Sequence, residues 1–288
     1  MKLDGRRESS NVEDRRGRSV GTAAGLGLGG IAVVALLTFM MGGNLGDVLR
    51  NVANSGGLTP TTQTQYEPTP ENEALATFSR QILASTEDVW SNYFQQNGIG
   101  TYQAPTLVLY TGATNTACGT GQAAMGPFYC SADEKLYIDL SFFSSMRQQL
   151  GADGDFAYAY VIAHEVGHHV QHLLGTLDQA HQKMARMSKE QSNRMSVRIE
   201  LQADFYAGIW AHYENRMFDS IEDGDLEEAI RCASVIGDDY LQKKSQGYAV
   251  EESFTHGTAA QRMRWLKKGM TTGDIRQGNT FSLSDDQL

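Results

Sequence analysis

Cysteine is scarce in this sequence, at three in 288 residues. That is too few for a disulfide framework, although one pair can staple a single loop in an oxidising compartment. No segregated basic face exists beyond the first 18 residues, and the net charge is −10, from 24 Lys+Arg against 34 Asp+Glu. Without such a face there is no phosphate-tracking surface, so nucleic acid is not expected as a partner. Internal repeats at a period of about 20–50 residues are also missing, which excludes solenoid and propeller architectures. What remains, 41% hydrophobic and 20% charged residues, is the composition of a folded protein with one or two cores.

One stretch lacks charge altogether. Residues 19–46, 28 in all, are uncharged, and the apolar part at 20–41 reaches the ~20 residues a helix needs to cross a hydrocarbon core. Lys2, Arg6, Arg7, Arg15, Arg16 and Arg18 precede it, and only Arg50 lies close behind. The excess of basic residues ahead of the stretch predicts a cytoplasmic N-terminus with the remainder outside. A cleaved signal peptide is the alternative, but the stretch is longer than an ordinary apolar signal core and no A-x-A site follows Met41. Residues 44–70 have the Asn, Gly, Thr, Gln and Pro content of a flexible linker. The expected organisation is a basic cytoplasmic tail (1–19), a transmembrane helix (20–43), the linker (44–70), one folded domain (71–275) and a C-terminal tail (276–288). The basic tip carries +2, which leaves −12 for the rest.

Within the domain, Leu75, Phe78, Ile82, Val89 and Tyr93 recur at helical spacing, predicting an amphipathic helix over 71–96. The runs PTLVLY (105–110) and KLYIDL (135–140) read as short strands, and helices are expected near 141–150, 153–174, 177–218, 225–245 and 258–269. The fold class is therefore α+β, mainly helical with a small β-sheet. Cys118 and Cys130 bracket eleven residues without obvious secondary structure. In an exported domain they would form a disulfide, and otherwise they are two buried thiols. Cys232, inside AIRCASVI, reads as a small core residue.

The segment VIAHEVGHHV (161–170) places His164, Glu165 and His168 in the order H-E-x-x-H. Helix positions four apart share a face about 6 Å apart along the axis, so two imidazoles can hold one Zn²⁺. Glu165 is offset by about 100° on that helix and can act as a general base without being a ligand. Gly167 is costly in a helix unless another backbone comes close. Two histidines leave zinc under-coordinated. The metzincin extension is excluded, because Gln171 and Leu174 stand where it requires Gly and His. Glu200 opens E-L-Q-A-D on the next helix, four residues before Asp204. One helical face thus offers a carboxylate ligand and a carboxylate that can accept a ligand histidine's N–H.

H-E-x-x-H followed by E-x-x-x-D resembles the gluzincin pattern of thermolysin-like enzymes and of the membrane-associated HtpX type. More closely, HEVGHHVQ, ELQAD, GPFYC, YIDLSFF and HGTAAQR together resemble the bacterial neutral zinc metallopeptidase family, which has an N-terminal membrane segment. The resemblance covers essentially the whole chain. It implies a zincin-like domain holding one catalytic Zn²⁺ on His164, His168 and Glu200, with Glu165 as base and Asp204 supporting a ligand. It further implies a single-pass protein of the bacterial inner membrane whose catalytic domain faces the periplasmic side and cleaves peptide or protein substrates. His256, in FTHGTAAQR, lies where the HtpX type carries T-H-P…R. It is a candidate oxyanion stabiliser, and Arg262 a candidate partner for Asp204. Gly257 replaces that type's Pro.

His168 and His172 form a rival pair at the same spacing but lack the intervening Glu, and His169, His181 and His212 read as packing or surface residues. An edge strand for extended peptide could come from 126–130 or from 135–140. Tyr240 and Tyr248 are indistinguishable from packing tyrosines. Two other functions fit the same residues: a catalytically inactive, membrane-anchored, zinc-binding assembly or binding factor, and a soluble cytoplasmic metalloenzyme.

Overall fold

The Thr69 side chain caps the first long helix by accepting from the Asn72 N–H, and Pro70 occupies the first turn, where its missing N–H leaves nothing unpaired. That helix, α1 (Pro70–Gln96), buries Ile82, Leu83, Val89, Trp90 and Tyr93, with Leu75 and Phe78 at the margin of the same core. The computed structural model describes residues 1–18 and 67–288. The expected membrane helix (20–43) and nearly all of the expected linker lie outside the described residues. No helix among the described residues is long and apolar enough to cross a membrane.

The two apolar runs become β2 (Thr106–Tyr110) and β6 (Lys135–Asp139), which pair in parallel, Leu107 opposite Leu136 and Leu109 opposite Ile138. Both are buried almost throughout, as continuous apolar runs in parallel strands should be. Strand β5 (Phe128–Cys130) adds to β6 antiparallel, and β1 (Val12–Asp14) adds to β2 in parallel, giving the order β1-β2-β6-β5. The 135–140 run is therefore interior, leaving β5, within 126–130, as the edge on that side. A separate hairpin, β3 (Ala113–Thr116) and β4 (Gly119–Gln122), is tied to β5 by the Cys118–Cys130 disulfide. Cys232 is buried beside Met146, and its thiol is pushed up to about 12 by that burial.

Strand β1 corrects the expected organisation. Residues 1–18 are not a tail standing apart from the domain: Val12 lies opposite Leu107, the Leu3 side chain enters the main core, and Arg6 pairs with buried Glu214. The chain's other end differs from expectation in the same way. Residues 276–288 pack on a helix, with Thr280 donating to the Arg198 carbonyl at 2.7 Å and Leu288 only 2% exposed, so the domain runs through Leu288.

The helices are α2 (Ser141–Ser145), continuing into a π-helical turn (Met146–Leu150), then α3 (Asp155–Leu173), α4 (Thr176–Met184), α5 (Lys189–Phe218), α6 (Asp225–Val235), α7 (Asp238–Gln246) and α8 (Ala259–Thr272). The expected 177–218 helix is two helices because Ser188 starts α5 anew, in a capping box with Gln191. The 225–245 helix divides before Asp238, whose carboxylate is turned toward the 255–257 backbone. Helix α8 opens on a second capping box, Thr258 with Gln261. It lies tightly on α5, where a Cβ on Gly269 would meet the Phe205 carbonyl oxygen at 2.1 Å.

Candidate metal centre

Helix α3 is apolar around most of its circumference, with Ile162, Val166 and Val170 buried, so it runs through the core and carries its polar side chains to one place. His164 and His168, one turn apart, direct their Nε2 atoms at Glu200 on α5: His164 Nε2 lies 3.1 Å from Oε2 and His168 Nε2 lies 3.4 Å from Oε1. Ligand atoms of the three residues all fall within 4.8 Å of one another. Gly167 permits this approach. A Cβ there would lie 2.8 Å from the Ala203 carbonyl oxygen and 3.1 Å from its Cα, so the backbones of α3 and α5 touch at the turn between the two histidines.

Each ligand imidazole is held from behind. His164 Nδ1–H donates to Asp204 at 2.7 Å. His168 Nδ1 lies 2.9 Å from Gln171 Oε1. The Gln171 amide nitrogen donates to the Ile199 carbonyl at 2.8 Å, which fixes the amide orientation and makes His168 the donor. Asp204 is fully buried and also accepts from the Tyr160 hydroxyl at 2.6 Å and from Arg262 Nε and Nη2 at 2.8 and 2.9 Å. Burial resists its charge, but Arg262 and then His164 hold its carboxyl down to about 2.

Two Nε2 atoms and a carboxylate, with both Nδ1 atoms already committed, form the donor set of a zinc site with three protein ligands. The residues fit a Zn²⁺ ion. Without one, the cluster holds itself together by charge. Burial disfavours a protonated His164, yet Asp204 and then Glu200 raise it to about 10. His168 is raised against burial by Glu200, and Glu200 is held well below the usual carboxylate range by His168 and His164. Glu165, 8% exposed, moves the opposite way: burial pushes its carboxyl up, the direction that suits a group exchanging a proton near neutrality.

His256 sits in the loop before α8, its side chain 52% exposed, with Nδ1 3.1 Å from Asp238 Oδ1. The other Asp238 oxygen accepts the backbone N–H groups of Thr255, His256 and Gly257 at 2.7, 2.6 and 3.1 Å. Desolvation by the surroundings works against a charged ring, but Asp238 and then Glu200 raise His256 above its ordinary value.

His172 is not a ligand in this arrangement, because it turns to Asp178 at 3.2 Å, which removes the rival 168/172 pair. His212 bonds the Met270 carbonyl, Tyr240 packs against the core and Tyr248 is largely exposed. His169 ties β5 to α3 beside the metal cluster, its Nδ1 meeting the Tyr129 hydroxyl at 2.9 Å and its Nε2 the Gln103 carbonyl at 2.7 Å. Burial lowers that ring to about 4, keeping it neutral. Gln171, Tyr160 and Asp238 are the supporting residues that sequence reasoning missed. Gln171 and Tyr160 stand at helical spacing from the ligand histidines, three after His168 and four before His164, whereas nothing local to Asp238 marks it.

Residues 1–281 match the family model described as putative neutral zinc metallopeptidase. The chain belongs to that family. Among curated relatives it is 48% identical over 291 residues to the uncharacterized protein YpfJ of Escherichia coli, covering 99% of this chain and all of that one. An uncharacterized protein of Mycobacterium tuberculosis is 40% identical over 194 residues, 64% of each chain. No solved structure matches the chain significantly. Beside the centre of this zinc metallopeptidase family member lies a cavity of about 350 Å³, bordered by Val197, one turn before Glu200, and by Phe254 and Thr258, which flank His256. Leu288 closes part of it.

Proposed function

We propose that this protein is a zinc-dependent endopeptidase of the gluzincin type, with one Zn²⁺ held by His164, His168 and Glu200. The observation that carries this reading is the pairing of a preset three-ligand cluster with a buried carboxyl, Glu165, on the same helix but outside the ligand set. A structural zinc site has no use for that carboxyl. Bound zinc supplies Lewis-acid polarisation of a peptide carbonyl and makes water a stronger acid. Glu165 takes the proton from the attacking water and passes it to the leaving amine. His256, oriented by Asp238, donates a hydrogen bond to the carbonyl oxygen as charge develops there. Arg262 and Tyr160 hold Asp204, which keeps the His164 Nε2 lone pair directed forward. An extended peptide substrate lies along the edge of β5 through main-chain hydrogen bonds.

We further propose that the protein is attached to the bacterial inner membrane through residues 20–43 with the domain on the extracytoplasmic side. The Cys118–Cys130 disulfide supports an oxidising compartment.

Purified protein and its Glu165→Gln variant, assayed on a peptide library with zinc measured in both, test the catalytic reading. The expected result is cleavage by the wild type, its loss in the variant, and equal zinc content. Cleavage by Glu165→Gln at the wild-type rate overturns the assignment of the base. A fully zinc-loaded wild type that cleaves nothing favours the binding-factor function instead.

A further inference from the structure

We infer that the first 18 residues and the peptidase domain lie on the same side of the membrane, so that the apolar run between them is a one-sided bilayer attachment and not a crossing. The inference concerns topology and stands whether or not the protein is a peptidase.

The first 18 residues are built into the domain at every level of its structure. Their strand pairs with β2, the Leu107 N–H donating to the Asn11 carbonyl and the Arg15 N–H to the Leu109 carbonyl. The Lys2 N–H donates to the Ser220 carbonyl, and the terminal amino group of Met1 pairs with Asp225 at 3.2 Å. Glu214 is fully buried on α5, and Arg6 Nη1 meets it at 2.8 Å, beside the hydroxyls of Ser85 and Ser220. Glu87 accepts from Ser9 and Asn11 and pairs with Arg7. Removing residues 1–18 would leave Glu214 buried without its cation, which is strongly destabilising, and would strip β2 of its partner strand.

The two ends of the intervening segment meet. Arg16 pairs with Glu73 at 2.9 Å and reaches the Asn72 carbonyl at 3.4 Å, at the first turns of α1. A chain that leaves the domain after Arg18 and rejoins it at Glu67 on the same side must cross a membrane an even number of times. Two crossings need about 40 apolar residues, whereas the uncharged run holds 28 and is followed by Asp47 and Arg50. One crossing fits the run but separates β1 from β2. The basic residues that suggested a cytoplasmic tail have acidic partners in the folded domain, Arg6 with Glu214, Arg7 with Asp88 and Arg16 with Glu73, so their position in the sequence does not by itself mark a topology.

The test introduces single exposed cysteines into the full-length protein at Ser10→Cys and, separately, at Gln182→Cys on α4. Each is labelled with a membrane-impermeant maleimide in intact and in permeabilised cells. The native cysteines do not interfere, since Cys118 and Cys130 are bonded and Cys232 is buried. The expected result is the same intact-to-permeabilised labelling ratio at both sites. Labelling of Gln182→Cys in intact cells, with Ser10→Cys labelled only after permeabilisation, overturns the inference. If both label only after permeabilisation, the shared side stands and the extracytoplasmic placement falls.

Discussion

Gly167→Ala probes the contact on which the metal cluster depends. In an ordinary helix the substitution stabilises by about 1 kcal/mol, because alanine loses less backbone freedom on folding. Here the new Cβ would stand 2.8 Å from the Ala203 carbonyl oxygen, and ordinary van der Waals contact begins near 3.4 Å. Helices α3 and α5 must therefore separate locally by about 0.6 Å, several times the tolerance of about 0.2 Å in zinc–ligand distances. Ala203 stands one residue before Asp204 and three after Glu200, so the displacement falls on the turn that carries the third ligand and the support of His164. Overpacking costs about 1–3 kcal/mol, which cancels or exceeds the propensity gain. The expected outcome is a metal-free protein no more stable than wild type in urea and a zinc affinity lower by about 10–100-fold, the range seen when the groups behind metal ligands are disturbed. Competition against a chromogenic chelator reads the affinity. A variant more stable by about 1 kcal/mol with unchanged zinc affinity refutes the reasoning, since it would mean that the two backbones do not meet at this turn.

Two further outcomes follow from the charges around the centre. Arg262→Met leaves Asp204 fully buried without its cation and should destabilise the domain by about 3–5 kcal/mol in urea unfolding; a loss below about 1 kcal/mol would show that His164 and Tyr160 suffice to hold the carboxylate. Zinc uptake should release protons at pH 7, because His164, raised to about 10, and His168, also raised, are protonated in the metal-free cluster and must be neutral to bind. The sign is that of a raised group: the cluster's own ion pairing is complete below the ordinary histidine value of 6.5 and is lost as pH rises through about 10, so zinc affinity climbs with pH across that window. Calorimetry in buffers of different ionisation heat reads the protons released, and uptake without proton release would show that the imidazoles are neutral beforehand.

How much of this was legible in the sequence depended on how local each feature is. The ligand pair His164/His168, its neighbour Glu165 and the Glu200/Asp204 pair were readable because each lies within one helical turn, where spacing alone fixes which side chains share a face. Gly167 was readable for a related reason: a glycine inside a buried helix has a cost that only a close neighbour offsets. The pairing of Asp204 with Arg262 spans 58 residues, and it came from resemblance to a motif, not from spacing. Asp238 had no signal at all, since its work is to collect N–H groups from a loop some 17 to 19 residues away. His169 was assigned to packing, and its role in pinning β5 to α3 emerges only when the strand is in place.

Strand β1 shows the limit most plainly. Three residues, VED, cannot display the alternation that marks a strand, and their partner is some 95 positions further along the chain, Val12 against Leu107. The same arginines were conspicuous in the sequence for another reason, as a basic cluster ahead of an uncharged run. That +2 tip and the −12 remainder read as segregation when placed side by side along the chain. In three dimensions the pattern is complementarity: the acidic surplus of the domain includes Glu214, Glu87, Asp88 and Glu73, which receive Arg6, Arg7 and Arg16. A statistical rule about charge near an apolar run presumes that those charges have no other partner. Where each has one within hydrogen-bonding distance, and one of the partners is a carboxylate buried in the core, folding energetics sets the position of the segment, and the apolar run must accommodate it.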